Sequence, residues 1–132
     1  MPATHQLPAP TALDTAAPAA LRAFFRIAEA WSLSNAESRI LLGSPPSSTF
    51  YKWKSGDVKS LGRDVLERVS YILGIYKDLQ ILLPDPEAAD GWVRRSNSAA
   101  PFGEMSALDL MLSGNVADLY RVREYLDSVR GG

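Results

Sequence analysis

The sequence predicts an all-α fold. Apolar residues recur at intervals of three and four along every periodic segment, as on one face of a helix, and no segment alternates as a half-buried strand does. Capping residues precede these segments, and glycine or proline follows most of them. The chain has 132 residues, 46% of them apolar, which is enough for one domain or two small ones.

The N-terminal residues 1–17 are rich in proline, alanine and threonine, and we expect them to form a disordered leader. The first helix is predicted from Pro18 to Trp31, because a proline costs no hydrogen bond in a first turn. Its apolar face is formed by Leu21, Phe24, Phe25, Ala28 and Trp31.

Two short helices follow. Ser34 and Glu37 have the spacing of a capping box at the start of the second helix, which ends before Gly43 and two prolines. The third helix is predicted to begin with Ser47 as its N-cap and to close at residues 56–57. Phe50 and Trp53 share one face of it, three residues apart, and are expected to pack into the core.

A long periodic stretch, residues 61–83, is predicted to be two helices or one bent helix, because Gly74 interrupts it. Asp85 is then expected to cap a helix with Trp92 on its apolar side, and residues 96–105 to form a loop. Ser106 and Asp109 predict a further cap. The last helix, with an apolar stripe that ends at Val129, is expected to be capped by Asn115 and Asp118.

The order of a short helix, a glycine-containing turn and a short helix with a polar outer face is that of a helix-turn-helix. The second short helix of this motif enters the major groove of DNA, where small hydroxyl side chains allow close approach and lysines reach phosphates. The predicted DNA-binding residues are Ser48, Thr49, Tyr51, Lys52 and Lys54. A set of helices that only pack together would show the same pattern, so this alternative stays open.

Charge and composition restrict the function further. Residues 1–84 hold nine Lys/Arg and seven Asp/Glu, whereas residues 85–132 hold five and eight, so only weak non-specific DNA binding is expected. Cysteine is absent and His5 is the one histidine, which leaves no material for a zinc site or a histidine-based triad. Without a Gly-rich phosphate loop or a long apolar run, we expect a cytoplasmic protein that is no enzyme, with no catalytic residue, metal, cofactor or membrane contact.

The segment WVRRSNSAAPFGEMSALDLMLSG, residues 92–114, resembles the toxin-binding domain of Xre/MbcA/ParS-type antitoxins. The residues that carry the resemblance are Trp92, Asn97, Phe102, Gly103, Ser106, Leu108, Asp109, Met111 or Leu112, and Gly114. Upstream, WSLSNAESRILLG and STFYKWK resemble the Xre-type helix-turn-helix of the same antitoxins, so the resemblance covers roughly residues 20–132.

The resemblance implies a helix-turn-helix domain at residues 18–84 and a helical toxin-binding domain at residues 85–132. Such antitoxins pair with a RES-domain toxin that consumes NAD and place their C-terminal end at the entrance of its NAD pocket. The toxin–antitoxin complex represses its own operon, and homodimerisation is expected. The predicted toxin-binding residues are Asp109, Tyr125, Arg130, Gly131 and Gly132.

Two other functions stay open at this point. One is a stand-alone helix-turn-helix transcriptional regulator whose C-terminal helices only dimerise. The other is an all-α adaptor without a role in DNA binding. A neighbouring reading frame for a RES-domain protein favours the antitoxin over the regulator, and salt-dependent DNA binding separates both from the adaptor.

Overall fold

The computed structural model describes residues 12–131, with side chains from Ala16 onward. This part of the chain folds into seven α-helices and one 3₁₀ turn, without a strand, which confirms the predicted fold class. The elements are α1 (Ala12–Ala30), α2 (Asn35–Leu41), α3 (Ser47–Lys54), α4 (Arg63–Leu82), α5 (Pro86–Gly91), the 3₁₀ turn (Trp92–Arg94), α6 (Ala107–Met111) and α7 (Val116–Val129).

The first helix begins earlier than predicted. α1 starts at Ala12, so Pro18 lies inside the helix rather than in its first turn. Alanine has the strongest helix propensity of all residues, and Ala17 is fully buried in the core, so packing extends the helix through the preceding turn. The predicted leader therefore overlaps α1 over residues 12–17, and its first eleven residues lie outside the described part of the chain.

The helix-turn-helix elements lie where the sequence predicted them, with one difference at a cap. Ser34 and Glu37 form the predicted capping box of α2, with both hydrogen bonds present. The N-cap of α3 is Pro46, and Ser47 is the first helical residue, so the prediction of a Ser47 cap is wrong. The fixed φ of proline already places the chain for helix entry there, without a side-chain bond.

The long helix α4 is continuous from Arg63 to Leu82, so of the two predicted alternatives the one with two separate helices is wrong. Gly74 is tolerated because nineteen other residues of α4 form the helix around it and its neighbours Ile72 and Ile75 are fully buried. The side chain of Arg123 occupies the space that a side chain at Gly74 would take.

Of the three C-terminal α-helices, α5 and α6 begin at their predicted caps. Asp85 caps α5 by accepting a hydrogen bond from the N–H of Ala88 at 3.2 Å, and Ser106 and Asp109 form a capping box on α6. Trp92 lies just after α5, in the 3₁₀ turn. Asn115 holds the N-cap position of α7 but makes no capping bond with its side chain, contrary to the prediction.

Asp118 was predicted to be a second cap of α7, but its side chain bonds to a loop residue instead. Its carboxylate accepts a hydrogen bond from the hydroxyl of Ser113 at 2.6 Å, and the same hydroxyl accepts from the N–H of Asn115 at 3.1 Å. The hydroxyl of Ser113, a residue that precedes α7, thus joins the turn before α7 to the first turn of that helix.

One apolar core runs through the whole described chain, and α4 lies at its centre. α4 packs against both α1 and α7. α4 and α7 run parallel, since Tyr71 in the middle of α4 contacts Tyr120 near the start of α7, and Asp78 further along α4 contacts Arg130 at the end of α7. The largest fully buried side chains come from both halves of the chain: Trp31, Phe24, Phe50 and Phe102. The core is therefore continuous across the predicted domain boundary at residues 84–85.

Candidate functional site

The outer face of α3 carries the polar residues that the sequence assigned to it. Ser48, Tyr51 and Lys52 are exposed, and Thr49 is half-buried. Phe50 on the opposite face is fully buried and meets the ring of Phe25 edge to face, with 5.7 Å between ring centroids. The core side of α3 is thus held by aromatic packing, which leaves the hydroxyls, the phenol and the amine of the outer face available to a partner.

The start of α3 also offers backbone donors. The first helical hydrogen bond of α3 runs from the N–H of Phe50 to the carbonyl of Pro46 at 2.9 Å. The N–H groups of residues 47–49 precede it and have no acceptor within the helix, as at every helix start. They lie beside the Ser48 and Thr49 side chains, so this end of α3 presents donors that a phosphate or a base edge can accept from.

Lys54 is placed differently from the other predicted DNA-binding residues. Its ammonium group donates a hydrogen bond to the side-chain oxygen of Asn35 in α2. This bond joins the end of α3 to the start of α2, so Lys54 helps to fix the angle between the two short helices.

The turn between α2 and α3 depends on a glycine and on two arginines that the sequence reasoning missed. Gly43 has φ +92°, and a Cβ there would lie 3.0 Å from Nε of Arg68 and 3.1 Å from the carboxylate of Asp64. Arg68 is buried and pairs with Asp64 at 2.9 Å, whereas Arg39 of α2 donates to the carbonyl of Pro45. The sequence did give one signal for Arg68. It is a charged residue next to the apolar stripe of α4, and a charged side chain that is buried needs a partner.

Three aromatic rings organise the C-terminal half. Phe102 meets Tyr125 edge to face with centroids 5.0 Å apart, and Trp92 stacks on Tyr125 at 6.4 Å. Tyr125 is half-buried between these rings and a cleft of about 500 Å³. The cleft is lined by Ala100, Pro101, Arg121, Glu124, Tyr125 and Ser128.

The other predicted toxin-binding residues have definite positions. The carboxylate of Asp109 accepts from the N–H of Ser106 at 3.4 Å in the capping box of α6, so it serves that helix start. Arg130 is the C-cap of α7, and Gly131 follows it with φ +93°. Gly132 lies outside the described residues.

Arg130 is engaged within the protein. Its Nη1 donates to Oδ1 of Asp78 at 2.8 Å, and Asp78 is 2% exposed. The second carboxylate oxygen of Asp78 is buried and receives no N–H donor among the described residues. Removing one partner of such a pair leaves an uncompensated buried charge, so Arg130 is held firmly at the end of α7.

Asp127 completes this group. Its carboxyl lies against that of Asp78, and a hydrogen bond to Asp78 raises the pKa of Asp127, with burial and charge repulsion from Asp78 acting in the same direction. Arg123, whose Nε lies 3.7 Å from the Asp127 carboxylate, and Arg130 oppose the rise. The end of α7 is thus tied to α4 by two carboxyls and two arginines.

Over residues 12–131 no three His, Asp or Glu side chains are grouped so as to hold a metal ion. No helix of that part is long and apolar enough to cross a bilayer.

Each half of the chain matches a known protein family. Residues 11–74 match the family described as "Antitoxin Xre-like helix-turn-helix domain". Residues 78–132 match the family described as "Antitoxin Xre/MbcA/ParS C-terminal toxin-binding domain". The chain is also similar to "Uncharacterized protein y4oB" of Sinorhizobium fredii (strain NBRC 101917 / NGR234), with 51% identity over 123 residues that cover 93% of each chain.

Proposed function

The chain belongs to the antitoxins that join an Xre-like helix-turn-helix domain to an Xre/MbcA/ParS toxin-binding domain, and from this premise we propose that its toxin is a RES-domain enzyme that consumes NAD. The antitoxin binds this toxin with its C-terminal half and keeps NAD from the active site. The complex represses its own operon through α3. Because NAD turnover and operator DNA are both cytoplasmic, this function places the protein in the cytoplasm.

The observation that carries the proposal is the position of the C-terminal end of α7. Arg130 is anchored on buried Asp78, and the exposed Gly131 follows in a left-handed conformation. A short segment that leaves a fixed helix end can enter a partner's cleft at a lower entropic cost than a segment that is free throughout. Arg130 therefore acts as the anchor of the blocking segment, and residues beyond it approach the toxin pocket.

The test uses the purified product of the neighbouring reading frame and follows its NAD consumption with and without the antitoxin. A chain shortened after Arg130 keeps the ion pair with Asp78, whereas a chain shortened after Val129 loses it as well. We expect the full chain to abolish turnover and both shortened chains to inhibit less. Equal inhibition by all three chains would place the block elsewhere on α6 and α7.

The repressor function rests on the outer face of α3, where Ser48, Thr49, Tyr51 and Lys52 would contact the operator. A double variant, Thr49→Ala with Lys52→Ala, is expected to lose affinity for a duplex that contains the operon's promoter. If Lys52 neutralises one phosphate, the slope of log affinity against log salt falls by about 0.9. Lys77 lies outside this face, on α4, so Lys77→Ala is the charge-matched control.

Homodimerisation belongs to the same proposal. Two helix-turn-helix copies bind half-sites that lie one turn of DNA apart, which doubles the phosphate contacts of a chain whose N-terminal part has little excess positive charge. Sedimentation of the free protein and of its complex with the duplex measures the number of copies. A neighbour that consumes no NAD, together with intact operator binding, would favour a stand-alone regulator instead.

A further inference from the structure

Arg94, in the C-terminal half, is bonded to the helix-turn-helix. Its Nε donates to the carbonyl of Trp31 at 3.1 Å, and its Nη2 donates to the carbonyl of Ser32 at 2.7 Å and to Oε1 of Glu37 at 3.3 Å. These acceptors lie 57 to 63 residues away along the chain. In the described residues after Pro84, no other side chain donates a hydrogen bond to the turn between α1 and α2.

The groups that Arg94 contacts determine how α2 begins. Ser32 has φ +56°, a left-handed conformation that a non-glycine residue adopts only when its surroundings hold it. Glu37 belongs to the capping box, and the oxygen that accepts from Arg94 also accepts from the N–H of Ser34 at 2.9 Å. One guanidinium group thus fixes both the exit of the chain from α1 and its entry into α2.

The start of α2 is in turn connected to the recognition helix. Asn35, the first residue of α2, accepts the hydrogen bond from Lys54 at the end of α3. A shift of the α2 start would therefore displace the acceptor of Lys54 and change the angle at which α3 meets a groove.

The other end of this connection lies beside the aromatic cluster. Arg94 ends the 3₁₀ turn that starts at Trp92, and Val93 between them is fully buried. Trp92 stacks on Tyr125 of α7. The backbone of Arg94 is therefore held in the core of the C-terminal half, while its side chain reaches across to α2.

We propose that Arg94 is a positioning residue for DNA recognition, through which the C-terminal half fixes α2 and thereby the orientation of α3. The proposal rests on the proposed DNA-binding function. It assigns to the toxin-binding half a part in building the DNA-reading surface, without any contact between Arg94 and DNA.

The test compares Arg94→Gln with Arg95→Gln in the full-length protein. Both variants remove one positive charge at adjacent exposed positions, but Arg95 makes no hydrogen bond to the helix-turn-helix. With a duplex that contains the operon's promoter, we expect Arg94→Gln to weaken binding about tenfold at an unchanged salt slope. Arg95→Gln should bind within about twofold of the original protein.

The salt slope separates positioning from direct contact. A slope that falls by about 0.9 in Arg94→Gln would make Arg94 a phosphate ligand and overturn the proposal. Equal affinities of Arg94→Gln and Arg95→Gln would overturn it as well. Arg94→Lys, which restores the charge and part of the donor set, is expected to recover only part of the affinity, because lysine lacks the planar fork of arginine.

Hydrogen exchange provides a readout that needs no DNA. We expect the backbone amides of residues 37–41 to exchange faster in Arg94→Gln than in Arg95→Gln, while the amides of α7 stay equally protected in both. Equal exchange of α2 in the two variants would overturn the proposal. If the original protein does not bind the duplex, the DNA-binding function fails, and the exchange of α2 still decides whether Arg94 positions that helix.

Discussion

The guanidinium group of Arg123 lies across α4 at Gly74, so that a Cβ placed on Gly74 would be 2.5 Å from both Nε and Cζ of Arg123. From this position Nη1 of Arg123 donates to the carbonyl of Ser70 at 3.4 Å, and Nε lies 3.7 Å from Asp127. The glycine therefore permits a close contact between α4 and the side chain of a parallel helix.

Gly74→Ala is expected to have two opposite effects on the free energy of unfolding, and these nearly cancel. Alanine stabilises a helix interior by about 1 kcal/mol relative to glycine, whereas its methyl group displaces Arg123 from two weak contacts. In an Arg123→Ala background only the helix effect remains, so the same substitution should stabilise the protein by about 1 kcal/mol. Urea unfolding of the four proteins measures both effects. An equal effect of Gly74→Ala in both backgrounds would contradict the contact.

Arg130→Ala is expected to destabilise the protein by about 2 kcal/mol, because it leaves the buried carboxylate of Asp78 without its arginine donor. Adding Asp78→Asn to this variant removes the uncompensated charge and should restore part of the loss. Thermal and urea unfolding provide the measurement. Arg121→Ala, which removes an exposed arginine of the same helix from a surface pair with Asp118, is the control and should cost at most about 1 kcal/mol.

Local signals in the sequence were sufficient where a helix is defined by its own residues. The capping boxes of α2 and α6 and the Asp85 cap of α5 were predicted correctly, because each is formed by residues three apart in the chain. The outward face of α3 followed from the spacing of Phe50 and Trp53. The start of α1 was missed because burial of Ala17, a tertiary effect, extends that helix.

The contacts that the sequence did not predict have a common cause. Gly74 and Arg123 are 49 residues apart, and Arg94 and Glu37 are 57 residues apart, so no local pattern joins them. Asp78 did leave a signal: it lies on the buried face of α4 between Ile75 and Leu79, where a carboxylate requires a partner. The sequence could indicate that a partner exists, but only the parallel packing of α4 and α7 identifies Arg130.

Ser106→Ala is expected to cost about 1 kcal/mol of stability. The hydroxyl of Ser106 accepts from the N–H of Asp109 at 3.0 Å, and this cap starts a five-residue helix that inserts Leu108 and Met111 into the core. So short a helix is stable only through its cap and its packing. Ser98→Ala, in the exposed part of the preceding loop, is the control, and unfolding in urea compares the two. Equal stability of the two variants would show that packing alone holds α6.

The carboxyl pair at the end of α7 gives the stability a pH dependence. The hydrogen bond from Asp127 to Asp78, together with burial and the repulsion between the two groups, raises the pKa of Asp127 above its ordinary value of 3.8. The folded protein therefore holds this proton over a range of pH in which the unfolded chain has released it. Stability contributed by Asp127 is complete below the ordinary value and is lost as the pH rises through the folded value.

Asp127→Asn cannot titrate, and its amide can still donate to Asp78. The free energy of unfolding of the original protein, minus that of Asp127→Asn, should therefore fall as the pH rises from about 3.5 and become constant above the folded pKa. Arg123→Ala removes a charge that opposes the rise in the pKa of Asp127, so in that background the fall should extend to higher pH. Urea unfolding at constant ionic strength measures each difference. A difference that grows with pH would mean that the arginines, rather than Asp78, dominate the surroundings of Asp127.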